Sequence, residues 1–386
     1  MKAVKIKENV YWVGAIDWNV RNFHGYLTQR GTTYNAYLII DEKVTLIDAV
    51  KPNLTNQLIE RISDIIDSRK IDIVVSNHTE MDHSGGIPKI MELNPNAELI
   101  ATANGVKGLN AHYKQNWNFK IVETGSKISI GKHTLQFITT PMVHWPDNMV
   151  CYIPEEKILF SNDAFGQHLA SSERFDDEYP VDIIMEEARK YYANIVLPYY
   201  KPVKKVLDDL KGVDIEIIAT SHGIIWRNNV GKIIEEYKKW SSGEVTKKAI
   251  IIYDSMWNST EKMAYALSSA FETKGYFPVI CNLQHHHMSD IMTEILSAEY
   301  ICVGSPTLNN NMMPAVAGFL TYLKGLSPRD RKAVAFGSYG WGGQSIAQIE
   351  SNLTESGLQV VKSFRAKYIP SDEDLKKITE DLVAIL

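Results

Sequence analysis

Short apolar runs punctuated by polar turns dominate the first two thirds of the chain, and they predict strands. "VYWVG" (10–14) is one, and "YNAYLIIDEKVTLIDA" (34–49) is two apolar runs flanking a polar turn at Asp41 and Glu42, the pattern of a hairpin. "IDIVVS" (71–76), "AELIATA" (97–103), "HTLQFITT" (133–140), "NMVCYIP" (148–154), "KILFS" (157–161) and "IEIIATS" (215–221) follow, with the helical pattern "NLTNQLIERISDII" (53–66) between them. This half therefore reads as α/β with many hairpins. The rhythm changes after "WSSGEVTKK" (240–248), a small and charged stretch suited to an exposed connection, which sets expected domains of 1–246 and 247–386.

Beyond it, strand patterns "KAIIIYD", "FPVICNL", "YICVGS", "KAVAFGS" and "LQVVKSF" alternate with helical segments such as "TEKMAYALSSAFETKG" and "PAVAGFLTYLKGL". Each helix is about long enough for a crossover, so the second domain is expected to be a five-stranded parallel, doubly wound sheet. Such sheets bind ligands at the carboxyl ends of their strands. "SDED" (371–374) is a capping signal that opens a last helix.

Composition narrows the functional classes. A chain of 386 residues with 45% hydrophobic and 23% charged residues fits two ordinary globular domains. A net charge of −5 offers no general attraction for a phosphate backbone or an anionic membrane, so nucleic acid and membrane are not expected partners. Three cysteines, Cys151, Cys281 and Cys302, are far apart, fall in strand-like runs and have no C-x-x-C spacing. They are expected to be buried thiols in a reducing compartment. With no signal-peptide pattern and no long apolar span, the expected location is the cytoplasm.

The densest chemistry lies in "SNHTEMDHSG" (76–85), which comes directly after a strand pattern and packs His78, Glu80, Asp82 and His83 into six positions. Like charges at a strand end repel unless a cation gathers them. Three more strand exits supply one candidate each: His144 in "PMVHWPD", Asp163 in "FSNDAFG" and His222 in "ATSHG". A single His or Asp at such a place is usually an ordinary side chain or a turn former. Seven together point to a metal site. Seven donors exceed the needs of one ion, so two metals bridged by one carboxylate are expected, with Asp163 the natural bridge. His285, His286 and His287 precede a helix signal without carboxylate partners and are expected in a solvated loop; His112, His133 and His168 receive the same reading.

The second domain has its own candidates. The loop after its first strand carries Ser255, Met256, Trp257, Asn258, Ser259 and Thr260, hydroxyl-rich and at a helix amino terminus, where free N–H groups favour a phosphate without Lys or Arg. The loop after the third strand carries Ser305, Pro306, Thr307, Leu308, Asn309 and Asn310. After the fourth come Ser338, Tyr339, Gly340, Trp341, Gly342 and Gly343, with small residues for close approach and aromatics to flank a flat ring. No Walker spacing or G-x-G-x-x-G is present, which argues against a nucleoside triphosphate or dinucleotide. The three loops resemble those of flavodoxin and its FMN.

H-x-E-x-D-H succeeded by isolated His, Asp and His resembles the metallo-β-lactamase-like fold, an αβ/βα sandwich of two sheets. Hydrolases of that fold usually carry His where this chain has Glu80, and a hard anionic donor there favours iron over zinc. Joined to a flavodoxin-like domain, and with "RGTTYNAYL", "NDAFGQH", "SHGIIWR" and "FGSYGWGG", the whole chain resembles the flavodiiron proteins. The resemblance implies two iron ions, one held by His78, Glu80 and His144 and the other by Asp82, His83 and His222, with Asp163 between them. It also implies FMN, reduction of dioxygen to water or of nitric oxide to nitrous oxide, and a head-to-tail homodimer or dimer of dimers. The electron donor would be separate, a small rubredoxin or a reduced deazaflavin coenzyme. His24 and Tyr191 resemble family residues that stand behind the metal ligands, and as residues alone each reads as packing. A dinuclear zinc hydrolase with an accessory FMN domain is the competing enzyme reading, and a flavin electron carrier with a structural metal site is the non-catalytic one.

Overall fold

The computed structural model describes all 386 residues. They divide into two compact units: Met1–His24, Thr28–Tyr191 and Tyr199–Lys238 form the first, and Gly25–Leu27, Tyr192–Pro198 and Lys239–Leu386 the second.

Two sheets build the first unit. One has seven strands in the spatial order Val4–Lys7, Val10–Trp12, Tyr37–Ile39, Thr45–Ile47, Ile73–Val75, Glu98–Ala101 and Phe119–Ile121, antiparallel at its start and parallel from Thr45–Ile47 onward. The other has five: Lys127–Ser129, Thr134–Thr139, Met149–Ile153, Ile158–Asn162 and Ile217–Thr220. Strand side chains alternate between faces, and here the alternation sorts residues into two cores. Ile73 and Val75 pack with Tyr37, Ile47, Phe137, Cys151 and Phe160 between the sheets. Val74, Leu38 and Leu46 face the other way, onto a core that includes Leu58, Ile62, Ile87, Ile90 and Leu109 from three helices. Both faces of the larger sheet are thus covered, as the apolar runs require. The predicted hairpin is formed by Tyr37–Ile39 and Thr45–Ile47, and Asp41 at its turn accepts from the backbone N–H groups of Lys132 and His133, in the turn between the first two strands of the second sheet.

The second unit has five parallel strands in the order Phe277–Asn282, Thr246–Tyr253, Ala298–Gly304, Lys332–Tyr339 and Gln359–Lys367. In chain order this is 2-1-3-4-5, the flavodoxin-like winding whose ligand crevice lies at the carboxyl ends beside the first and third strands. Helices Ser259–Thr273 and Asp372–Val383 cover one face, joined to the sheet through Met263, Leu267, Phe271, Ile378 and Leu382. Ser371 caps the last helix in a reciprocal box with Asp374.

All three cysteines are free and buried, as expected. No helix is long and apolar enough to cross a membrane. The histidines depart from the sequence expectation in three places. His133 is buried, with Nδ1 2.7 Å from Asp41 and Nε2 3.2 Å from Glu156. His168 is fully buried, its Nδ1 2.9 Å from the Thr32 hydroxyl. His287 caps helix Met288–Ile295 by accepting from Ser289 N, so only His285 and His286 of that trio are exposed.

Candidate metal centre and flavin cradle

Each member of the first cluster reaches it from the end of an apolar run. His78 comes just after strand Ile73–Val75, and the chain then turns through Glu80 into the short helix Met81–Ser84 carrying Asp82 and His83. His144, Asp163 and His222 come after the strands ending at Thr139, Asn162 and Thr220. The structure brings all seven together. Asp163 stands in the middle, with its two oxygens facing different groups. Oδ2 is 3.7 Å from His78 Nε2 and 3.5 Å from His144 Nε2, and Glu80 Oε2 completes that half at 3.3 and 3.5 Å from the same two nitrogens. Oδ1 is 3.1 Å from His83 Nε2 and 3.4 Å from His222 Nε2. Asp82 completes this half, Oδ1 lying 3.3 Å from His83 and Oδ2 3.3 Å from His222.

This convergence of buried donors is unstable by itself. Both oxygens of Asp82 and both of Asp163 are buried with no hydrogen-bond donor. Such groups cost several kcal/mol unless a cation neutralises them (on the order of 1–3 for a lost hydrogen bond and more for a charge). Burial opposes protonation of His78, His83 and His144, yet the carboxylates overcome it and raise them to about 10, 9 and 9. Burial likewise opposes ionisation of Asp163, and the imidazoles led by His83 hold it well below the carboxylate range. The cluster therefore attracts positive charge strongly, the electrostatics expected of a site that can hold cations in place of protons. Four imidazoles and three carboxylates make a hard, oxygen-rich set that suits iron.

Residues behind the donors orient them. His78 Nδ1 donates to Asp147 Oδ2 at 2.9 Å, and His222 Nδ1 donates to the Thr33 carbonyl at 2.7 Å, leaving Nε2 of each for a metal. Asp48, buried and raised to about 6 chiefly by that burial, accepts from both Asn77 N and Asn77 Nδ2 just before His78. His24 is exposed and places Nε2 3.2 Å from Glu80 Oε1. Tyr191 is buried, its ring 5.9 Å from that of His222 and 5.1 Å from that of His168. No role for Asp147, Asp48 or Thr33 is expected from the sequence, although Asp147 lies three residues after His144 and Thr33 lies within "RGTTYNAYL".

In the second unit a cavity of about 590 Å³ opens at the strand ends. Met256, Trp257 and Ser259 line it from the first loop, Pro306, Thr307, Asn309 and Asn310 from the second, and Ser338 through Gly342 from the third. Ser255, Asn258, Thr260, Ser305, Leu308 and Gly343 do not line it. Thr260 instead bonds Ser338 at 3.0 Å, Ser305 Oγ accepts from Met313 N, and Leu308 bridges to Asn311. Asn258 and Gly343, with positive φ of 62° and 120°, turn the chain into the helices after them. Tyr368 and Ile369, after the fifth strand, also line the cavity and carry no sequence signal for it.

The cradle fits a phosphorylated flavin. Helix Ser259–Thr273 has no side-chain cap, so its first N–H groups remain for an anion, and Ser255 Oγ beside it is buried without a partner. Trp257 and Trp341 are 86% and 89% exposed, which leaves their faces open to a flat ring.

Residues 32–223 match the family described as ODP family beta lactamase, and residues 251–381 match flavodoxin. A nitric oxide reductase of Moorella thermoacetica is 45% identical over 98% of this chain and 96% of its own. The chain belongs to the flavodiiron protein family. Among solved structures, rubredoxin oxygen:oxidoreductase from Desulfovibrio gigas superposes on this flavodiiron protein with a TM-score of 0.96 at 41% identity, covering 100% of this chain and 98% of that one. The flavodiiron protein from Giardia intestinalis gives the same score at 35% identity, covering 100% and 96%.

Proposed function

We propose that this flavodiiron protein reduces a diatomic gas, dioxygen to water or nitric oxide to nitrous oxide, at an iron pair held by the seven clustered side chains. His78, Glu80 and His144 hold one iron, Asp82, His83 and His222 the other, and Asp163 bridges them. The observation that carries the reading is the division of Asp163, whose two buried, hydrogen-bond-free oxygens face two separate sets of donors. Names of relatives point the same way: one is a nitric oxide reductase and another a rubredoxin oxygen:oxidoreductase. Residues 1–246 form the di-iron domain in this reading and 247–386 the flavin domain.

When bound, the iron pair supplies gas binding and two electrons, and FMN supplies two more. Dioxygen consumes four electrons and four protons on the way to two waters. Two nitric oxides consume two of each on the way to nitrous oxide and water. The protein's part is positional. Asp147 and the Thr33 carbonyl take the Nδ1 protons of His78 and His222 in hydrogen bonds and so fix both rings. His24 donates from Nε2 to Glu80 Oε1, leaving Oε2 turned toward His78 and His144. Burial lifts the Tyr191 phenol well above its ordinary pKa, so it stays neutral beside the donors.

In the second unit the uncapped terminus of helix Ser259–Thr273 would take the phosphate, and the cavity-lining residues of the loops at 305–310 and 338–343 would surround the rest of FMN. The donor is a rubredoxin-type protein, supported by the name of the Desulfovibrio relative, or a reduced deazaflavin coenzyme. Three free buried cysteines suit a reducing cytoplasm. A head-to-tail homodimer or dimer of dimers, which the family resemblance implies, completes the reading.

The test is anaerobic reduction of the purified protein, with iron and flavin quantified first, and then separate exposure to each gas. Two irons and one FMN per chain with rapid flavin reoxidation by either gas are expected. Zinc in place of iron, with ester or amide cleavage needing no reductant, would overturn it.

A further inference from the structure

The second metal sub-site depends on His222, and the loop that carries it is held by residues far from it in sequence. Thr33 and Asn35 occupy one short segment, fully buried, laid against residues 220–223. Thr33 contributes its carbonyl to His222 Nδ1 at 2.7 Å and its hydroxyl to Gly223 N at 2.6 Å. Asn35 N donates to the Ser221 carbonyl at 2.8 Å. The Asn35 side chain then closes the loop: Nδ2 donates to the Thr220 carbonyl at 2.9 Å and to the Gly223 carbonyl at 3.1 Å, gripping the residues on either side of the Ser221–His222 pair.

The orientation of this amide is dictated by its surroundings. Indole is a donor only, and Trp12 Nε1 lies 2.8 Å from the amide, so the atom facing it is Oδ1 and the two carbonyls face Nδ2. One acceptor and both donors of Asn35 are thereby used. Asp would turn an anionic oxygen toward two carbonyls, and an apolar residue would leave the buried Trp12 N–H without an acceptor and take one donor each from the Thr220 and Gly223 carbonyls, which keep only the Tyr37 and Thr33 hydroxyls. Trp12 is itself fixed, with the guanidinium groups of Arg61 and Arg174 over its ring at 4.8 and 4.6 Å from the centroid.

We propose that Asn35, which makes no hydrogen bond to any of the seven donors, is the positioning residue for His222, setting the second metal sub-site through a Trp12–Asn35 hydrogen-bond chain. The proposal rests on the di-iron reading above. It separates the halves of the site, because the side-chain bonds of Asn35 go to Trp12 and the His222 loop, whereas His78 is oriented by Asp147.

The test compares full-length, FMN-loaded, metal-depleted wild type, Asn35→Asp and Trp12→Phe, each titrated anaerobically with iron-57(II) and monitored by Mössbauer spectroscopy. Wild type should take up two equivalents in two environments; if it does not, the di-iron reading fails before the role of Asn35 is reached. Asn35→Asp should weaken one equivalent by roughly 10- to 100-fold, the range for losing a residue that orients a ligand, while the other keeps its affinity and spectrum. Flavin content should stay near wild type, whereas the metal-free Asn35→Asp protein should melt at a lower temperature because its new carboxylate faces two buried carbonyls. Trp12→Phe removes the indole N–H together with part of the buried ring, so it should weaken the same equivalent to a smaller extent and lower the thermal midpoint as well. Equal weakening of both equivalents, or wild-type binding in both variants, would overturn the proposal. If Asn35→Asp does not fold, Trp12→Phe decides alone, and an unaltered spectrum in it counts against the chain.

Discussion

Asp147 joins His78 to its own peptide neighbourhood: one carboxylate oxygen accepts from His78 Nδ1 at 2.9 Å and from Thr79 N at 2.7 Å. The ring and the backbone that carries it are locked by a single group. Asp147→Asn keeps the volume but places an amide against the ring, so the tautomer with Nε2 free is no longer enforced. Iron affinity at the first sub-site should fall about 10- to 100-fold, measured by competition with a chelator, with flavin content unchanged.

Glu80 replaces the histidine usual in hydrolases of the metallo-β-lactamase-like fold. Glu80→His restores a neutral donor between His78 and His144 and should raise the zinc fraction of protein grown in mixed metals at the expense of iron. Gas reduction should drop by more than about tenfold, since losing charge-matched donors at a metal costs several kcal/mol. Elemental analysis beside oxygen-electrode rates reads both effects; an unchanged iron content would refute the argument from donor hardness.

Trp341 is 89% exposed on the rim of the flavin cavity, and Tyr368 faces the same cavity from just after the fifth strand. Trp341→Ala should raise the dissociation constant for FMN by about 5- to 10-fold, the worth of one aromatic contact, and Tyr368→Ala by a smaller factor. Quenching of flavin fluorescence on adding FMN to flavin-free protein gives both constants, and iron binding should be unaffected in either variant.

Asp41 accepts three backbone N–H bonds, from Glu42, Lys132 and His133, as well as the His133 ring. Burial works against its ionisation, but these donors prevail and lower it to about 2. A depressed carboxylate stabilises the fold fully above its unfolded pKa of about 4, and the contribution is lost as pH falls through about 2. Asp41→Asn should lower the thermal midpoint of metal-free protein by about 2–4 °C at pH 6. The difference should shrink below pH 4 in parallel scans.

The clustered side chains are legible in sequence because the segments that carry them follow apolar runs, so a strand end and a candidate ligand coincide at His78, Asp163 and His222. Their supports are not. Asn35 and Thr33 sit nearly two hundred residues from the loop they hold, and Asp147 resembles any polar residue in a turn. Likewise, an isolated His gives no sign of burial in sequence, which is why His133 and His168 read as solvated there and prove buried in the fold. In the flavin unit the hydroxyl- and glycine-rich loops announce themselves. Tyr368 does not, because its place on the cavity wall comes from a positive φ of 59° after the fifth strand rather than from any residue pattern.

Strand Ile73–Val75 is only three residues long, with one residue given to the helix-side core and two to the inter-sheet core. Inserting or deleting one residue there would exchange the two destinations and rotate everything downstream by half a turn, His78 included. The stem before Ser76 therefore tolerates apolar exchanges of side chain but not a change of length, because a slip of one residue would carry His78 and the three clustered side chains after it away from Asp163.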